Sequence, residues 1–241
     1  WGVESVLVTH SVLVAAEMVL VGTYPPFYAQ PLTDGAVAPQ AHSTFYLLRS
    51  NPRFTLMLLG VLCGITGVLP MANFLINVVL DRGGTNAGLG IVLFIMAGFE
   101  LPTAFLFQRL LRRYGSARLL LISILFCGLK AVGLLLAPSF FWVCLMQPLQ
   151  MLGYGLFTPA SVYYVNETVP EGDRVRGQTL MMVASNGLGG VLGSLLAGQV
   201  LDLAGVDWML VFCAALCALG CLLAGLSLRP GKTASKTDSD V

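Results

Sequence analysis

The chain has 241 residues, of which 56% are apolar and only 10% charged, with a formal net charge of +1 and a mean hydropathy of +0.83. A soluble domain of this size carries about 25% charged residues, so the composition excludes an ordinary water-soluble globule and points to an all-α integral membrane protein. So apolar a chain has no basic face to offer nucleic acid.

The chain begins with Trp1, not methionine, and therefore reads as a processed or truncated product or a fragment of a longer frame. Residues 1–24 are apolar enough to span a membrane, although Glu4, His10 and Glu17 interrupt them. No basic residue precedes this stretch and no small-residue cleavage site follows it, so it is not a signal peptide. It reads as the end of a preceding span. Residues 25–53, rich in proline and small polar residues at first and closing on Arg49, Asn51, Pro52 and Arg53, read as a cytoplasmic linker.

Six cleaner spans follow within residues 54–228, each long enough to cross a bilayer core. They are expected at about Phe54–Leu80, Ala87–Gln108, Ala117–Ala137, Phe140–Val165, Gly177–Leu203 and, after the turn Ala204–Asp207, up to about Leu228. Residues 229–241 form a polar tail. The expected fold is thus a six-helix transmembrane bundle. On one side of it lie Arg49, Arg53, Arg109, Arg112, Arg113, Arg118, Arg174, Arg176, Arg229, Lys232 and Lys236, and on the other only Arg82. That asymmetry places the linker, the arginine loop, the Asn166–Arg176 loop and the C-terminal tail in the cytoplasm, with the protein in the inner (plasma) membrane.

Two charges fall inside spans. Glu100 lies nine residues before Arg109 and Lys130 twelve after Arg118, which at 1.5 Å per residue puts them at about 13 and about 18 Å from the same membrane face. An acid and a base at nearly equal depth on adjacent antiparallel helices can meet if both face inward. Charges at such depth cost about 2.5 to 3.5 kcal/mol each, which marks them as a functional pair; an ion pair that only locks two helices is the plainer alternative.

Polar residues recur on faces of two further spans. Gln147, Gln150, Tyr154, Thr158 and Ser161 form one stripe on the fourth, and Thr66, Pro70, Asn73 and Asn77 another on the first. Such groups need partners in hydrocarbon, which a water-filled cavity or a packed neighbour supplies. The fifth span carries Gly187, Gly189, Gly190, Gly193, Ser194, Ala197 and Gly198, a surface of small residues suited to close helix packing, with Asn186 and Gln178 as further candidates for the cavity. Cys213, Cys217 and Cys221 share a helix face without histidine or carboxylate partners, so packing, not a metal, accounts for them. His10 and His42 have no ligand spacing. With no metal set, no cofactor motif and no nucleophile–base spacing, the chain does not read as an enzyme.

The loop residues Gln108, Arg112, Arg113, Gly115 and Arg118 resemble the second copy of the loop signature of major facilitator transporters, Gly-x-x-x-Asp-Arg-x-Gly-Arg-Lys, with Gln108 in place of the first glycine and Arg112 in place of the aspartate. The stretch Arg49–Leu228 resembles the C-terminal six-helix half of such a twelve-helix transporter. Within that superfamily it is most similar to the branch containing lactose permease and the phenylpropionate permeases, through Glu100 in GFELP, Lys130 in GLKAVG and the run AGQVLDLAGVDWMLV from Ala197 to Val211.

The resemblance implies alternating-access transport of a small solute, with protons as coupling ion and an N-terminal six-helix half as partner. Glu100 stands where lactose permease has its sugar-binding glutamate and Lys130 where it has a buried arginine tied to coupling. The fourth span departs: Gln147, Gln150 and Gly153 replace lysine, histidine and glutamate, which leaves Glu100 as the carboxylate placed to carry a proton. The rival reading is a non-transporting membrane scaffold, in which these groups only hold helices together, or an inactive transporter fragment; within transport, efflux of a drug or sugar competes with uptake.

Overall fold

In a computed structural model the chain divides into two units, Trp1–Ala38 and Pro39–Val241. The structure describes residues 43–228, without the side chains of Leu101 and Ala104, together with Ser11, Val12, Ala15, Ala16, Met18 and Val19, which are helical. Most of residues 1–24, residues 25–42 with His42, and the tail 229–241 with its basic residues lie outside the described residues.

The second unit is built of helices joined by short turns. Thr44–Ser50 (α1) occupies the end of the stretch read as linker. Leu47 buries itself and the Thr55 hydroxyl donates to the Leu48 carbonyl at 2.6 Å, so this segment is held as structure against the bundle. The first span is two helices, Pro52–Asn73 (α2) and Leu75–Asp81 (α3), broken at Phe74. Pro52 starts α2, where its missing N–H costs nothing. Pro70, inside it, has no N–H to offer the Thr66 carbonyl four residues back.

The second span, Asn86–Tyr114 (α4), is capped by the Thr85 side chain, which accepts from the Gly88 N–H at 3.2 Å. Its parts Asn86–Glu100 and Phe105–Tyr114 meet at 57°, beside Pro102. The helix runs six residues past the expected end at Gln108 and stops at Gly115, whose φ of 76° suits glycine alone. Ser116–Leu135 (α5) is the third span. The fourth is three pieces, Phe140–Met146 (α6), Leu149–Leu152 (α7) and Tyr154–Thr168 (α8), interrupted at Pro148 and at Gly153. The fifth comprises Arg174–Met182 (α9), a π-helical segment Val183–Gly189, and Gly190–Ala204 (α10); Val206–Ser227 (α11) is the sixth. Among the described residues five helices are long and apolar enough to cross a membrane, and a sixth span results when the bent second helix counts as one.

The first span lies at the centre of the bundle. Two-thirds of its most apolar window is buried, against one-third for the fourth, fifth and sixth. Glycines let its neighbours come this close. A Cβ on Gly60 would lie 2.8 Å from the Ala224 backbone nitrogen, and one on Gly67 2.5 Å from the Cys213 carbonyl. Cys213 and Cys217 are fully buried in that contact, the Cys217 thiol pointing at the Gly64 carbonyl, and no metal-holding cluster occurs among the described residues. On the other flank Gly193 packs against the Thr66 carbonyl, the one left without its helix partner by Pro70. The small-residue face of the fifth span is therefore a packing surface.

Candidate functional site

The second and fourth spans diverge to form a groove of about 370 Å³, lined by Glu100, Thr103, Phe107, Tyr154, Gly155, Thr158 and Pro159. The break at Gly153 reorients the fourth span so that Tyr154 and Thr158 face the groove while Gln147 and Gln150 turn inward. Contact between the two walls is close beneath it: the Thr103 hydroxyl donates to the Met151 carbonyl at 3.3 Å, and a Cβ on Gly155 would stand 3.0 Å from Thr103 Oγ1.

Glu100 is exposed in this groove, and Lys130 is buried behind it, 5% exposed. The expected pair of two buried, touching charges is thus not what forms. Lys130 Nζ donates to Gln150 Oε1 at 2.9 Å and lies 4.0 Å from Met96 Sδ, while Glu100 remains within electrostatic range of both Lys130 and Tyr154. Equal depth brought the two charges to the same level, but rotation of the second span about its axis turns Glu100 outward.

The fourth-span stripe splits in the same way. Gln147 is fully buried, its Nε2 donating to the Val143 carbonyl at 2.8 Å and its Oε1 left without a donor. Gln150 is buried against Lys130. Ser161, also buried, donates to the Thr158 carbonyl at 2.8 Å. Tyr154, half-buried, donates across to Asn186 Oδ1 on the π-helical segment at 3.4 Å, which brings the fifth span to the edge of the groove. Gln178 does not reach it: its Nε2 donates to the Val162 carbonyl and to Asn166 Oδ1.

The first-span residues lie elsewhere. Thr66 bonds back to Leu62 and packs on Gly193, and Asn73 Nδ2 donates to Ser194 Oγ at 2.8 Å, so both face the fifth span. Asn77 is exposed on α3, beyond the break. None of the three joins the groove lining.

At the expected cytoplasmic end Arg109, Arg112, Arg113 and Arg118 are exposed and form no ion pair among the described residues, Arg113 stacking over Tyr114 at 5.5 Å. Gly115 makes the sharp turn that lets Ser116, 1% exposed, donate to the Glu167 carboxylate. Sequence reasoning missed this bond, and also the cluster at the opposite end, where Arg82 pairs with Asp81 and Asp207 and donates to the Leu135 carbonyl. A lone basic residue between two turn-borne aspartates was the available signal for the latter.

A family model for the Major Facilitator Superfamily matches residues 56–241. A maltose permease from Geobacillus stearothermophilus is 26% identical over 190 residues, covering 79% of this chain and 48% of that protein. The chain thus spans about half the length of the relative it matches. Its apolar helices and a family match over most of their length agree: this is a multi-pass membrane protein, and it belongs to the Major Facilitator Superfamily.

Proposed function

We propose that this chain is the C-terminal six-helix half of a secondary transporter that carries a small solute across the plasma membrane by alternating access, coupled to protons. The observation that carries the reading is the groove: a carboxylate, a phenol and two hydroxyls face one open cleft between otherwise apolar helices, with a buried amine behind them. A second half closing over this face would enclose a site near the bilayer midplane, where transporters built from two repeats bind solute. The match covers only 48% of the relative, which supports such a partner half, and its name puts maltose among the solutes to test. The resemblance to the lactose permease branch rests on the residues around Glu100 and Lys130.

Glu100 is the proton carrier in this scheme, loading while the groove opens to one side and releasing when it opens to the other. Positive residues at one end orient that end, with the C-terminal tail, toward the cytoplasm. The test is substrate-dependent proton movement in vesicles holding the full-length protein. Glu100→Gln abolishes proton-driven accumulation and spares solute exchange; loss of both, or of neither, refutes the assignment.

The scaffold reading draws on a specific observation, the interhelical bonds Asn73–Ser194 and Tyr154–Asn186. It is separated by exchange itself: a full-length protein that moves no solute in a panel of sugars, nucleosides and organic acids is a scaffold.

A further inference from the structure

Lys130 is a buried cation whose direct contacts are neutral, Glu100 acting on it only through space. An ammonium carries three donors. Here one meets the Gln150 amide oxygen, another points at a thioether, and no third acceptor is in reach among the described residues. Nor does any described carboxylate come within salt-bridge distance of it. Glu100, one turn beyond Met96 on the second span, opens into the groove instead.

A second buried group close by also lacks a partner. Gln147 stands one turn before Gln150 and is fully buried, and its Oε1 accepts nothing. The third and fourth spans run antiparallel here, with Gly133 against Met146, Lys130 against Gln150 and Cys127 against Gly153. Gln147 therefore lies on the same side of the fourth span as the Lys130 amine. One spare donor set and one spare acceptor are thus buried behind the groove, outside its lining, each costly to bury unless something completes it.

We infer that the completing group is the solute, and that the site takes a hydroxylated monocarboxylate. This rests on the transport reading and names its substrate class. The carboxylate accepts from Lys130 and from the amide nitrogen of Gln150, a hydroxyl donates to Gln147 Oε1, and the remaining hydroxyls meet Thr103, Tyr154 and Thr158 along the groove. The flexible four-carbon stem of lysine allows its amine to swing toward the cleft as the anion arrives. A neutral sugar satisfies the hydroxyl partners and leaves the amine unpaired. A plain short-chain acid does the reverse.

The experiment uses the full-length protein containing this chain, purified in detergent, with radiolabelled gluconate as probe and unlabelled gluconate, propionate or maltose as competitor. Gluconate binds, propionate competes more weakly and maltose more weakly still. Lys130→Met lowers gluconate affinity about ten- to a hundredfold, the loss of a hydrogen bond to a charged group, and Lys130→Arg keeps part of it. Without ligand, Lys130→Met unfolds no earlier than the wild type, because it removes a buried charge that has no described carboxylate within salt-bridge distance. Three results overturn the inference: gluconate fails to bind; maltose binds in preference to gluconate; or Lys130→Met and Glu100→Gln both lower the unfolding temperature and leave gluconate affinity unchanged, as a structural ion pair would. Maltose transport without gluconate binding leaves the transport reading standing. Gluconate binding that depends on Lys130, in a protein that moves nothing across vesicles, upholds the site and overturns transport.

Discussion

The contact between Gly193 and the Thr66 carbonyl is the tightest helix approach involving the fifth span, and Gly193→Ala tests whether it holds the bundle together. A Cβ at Gly193 would sit 2.4 Å from Thr66 O, 3.1 Å from its carbonyl carbon and 3.2 Å from its Cα. All three are backbone atoms, so no rotamer change relieves the clash and the two spans must separate. Overpacking of this kind costs about 1 to 3 kcal/mol. Separation also stretches the Asn73–Ser194 bond, which starts one residue further on; interhelical bonds in membranes contribute about 0.6 and at most about 1.7 kcal/mol. Alanine gains up to about 1 kcal/mol over glycine in helix propensity. Gly90→Ala supplies the reference, because nothing lies within 4 Å of a Cβ there and the propensity gain is the same.

The difference between the two variants is therefore about 2 to 4 kcal/mol, with Gly193→Ala the less stable. Thermal unfolding in detergent, followed by a dye that reacts with the buried thiols Cys127, Cys213 and Cys217, reads it directly. Gly198→Ala falls between them, since its Cβ would meet only the far end of the Phe74 ring at 3.2 Å. If Gly193→Ala and Gly90→Ala unfold together, the close approach of first and fifth spans contributes nothing and the packing argument fails.

Ser116→Ala removes the bond to Glu167 and destabilises the arginine-loop end by about 1 kcal/mol, the smaller end of the range because Glu167 is exposed and regains water; thermal unfolding beside the wild type checks it. Arg82→Gln costs about 1 to 2 kcal/mol, of which the Leu135 carbonyl bond supplies about half. Asp207→Asn at the same cluster costs less than about 1 kcal/mol, and less again in 1 M salt, since the Asp207 side chain is 61% exposed; unfolding at two ionic strengths separates the two contributions. Thr158→Cys in the full-length protein reacts with a membrane-impermeant thiol reagent, whereas Ala160→Cys, fully buried on the same helix, does not until the protein unfolds. Equal labelling of both would erase the distinction between groove and core.

The helices themselves are legible because an apolar run of bilayer length has few alternatives. Their ends are less so. The second helix continues through Arg109, Arg112 and Arg113 because arginine is a good helix former, and it ends where Gly115 takes a positive φ, a backbone event that hydropathy does not register. The breaks at Phe74 and Gly153 are similar: prolines at 70 and 148 announce a disturbance nearby without saying where the ladder parts. The two intramembrane charges show the deeper limit. Residue counts give depth, because rise per residue is fixed, but they do not give rotation about the helix axis. That is set by side-chain fits such as Thr103 against Met151 and Gly155, and here it sends Glu100 to the groove and Lys130 to Gln150.

These fits divide the bundle into two kinds of contact. The first span meets the fifth and sixth through glycines and backbone atoms, at Gly60, Gly67 and Gly193, where any displacement loses many contacts at once. The groove walls meet through two side-chain bonds, Thr103 to the Met151 carbonyl at 3.3 Å and Gln108 to Tyr163 at 3.1 Å, while Lys130–Gln150 and Tyr154–Asn186 tie the fourth span to the third and fifth. The fourth span, besides, is interrupted at Pro148 and Gly153 and carries Pro159, and the second bends beside Pro102, so both groove walls have gaps in their helical ladders that the third span lacks. Opening between second and fourth spans thus costs a few exchangeable hydrogen bonds, each of which a solute can replace, whereas opening between first and sixth requires parting backbones. Local motion belongs on the cheaper side. It follows that substitutions at the glycine contacts act on stability, those along the groove act on binding, and pairs drawn one from each set add.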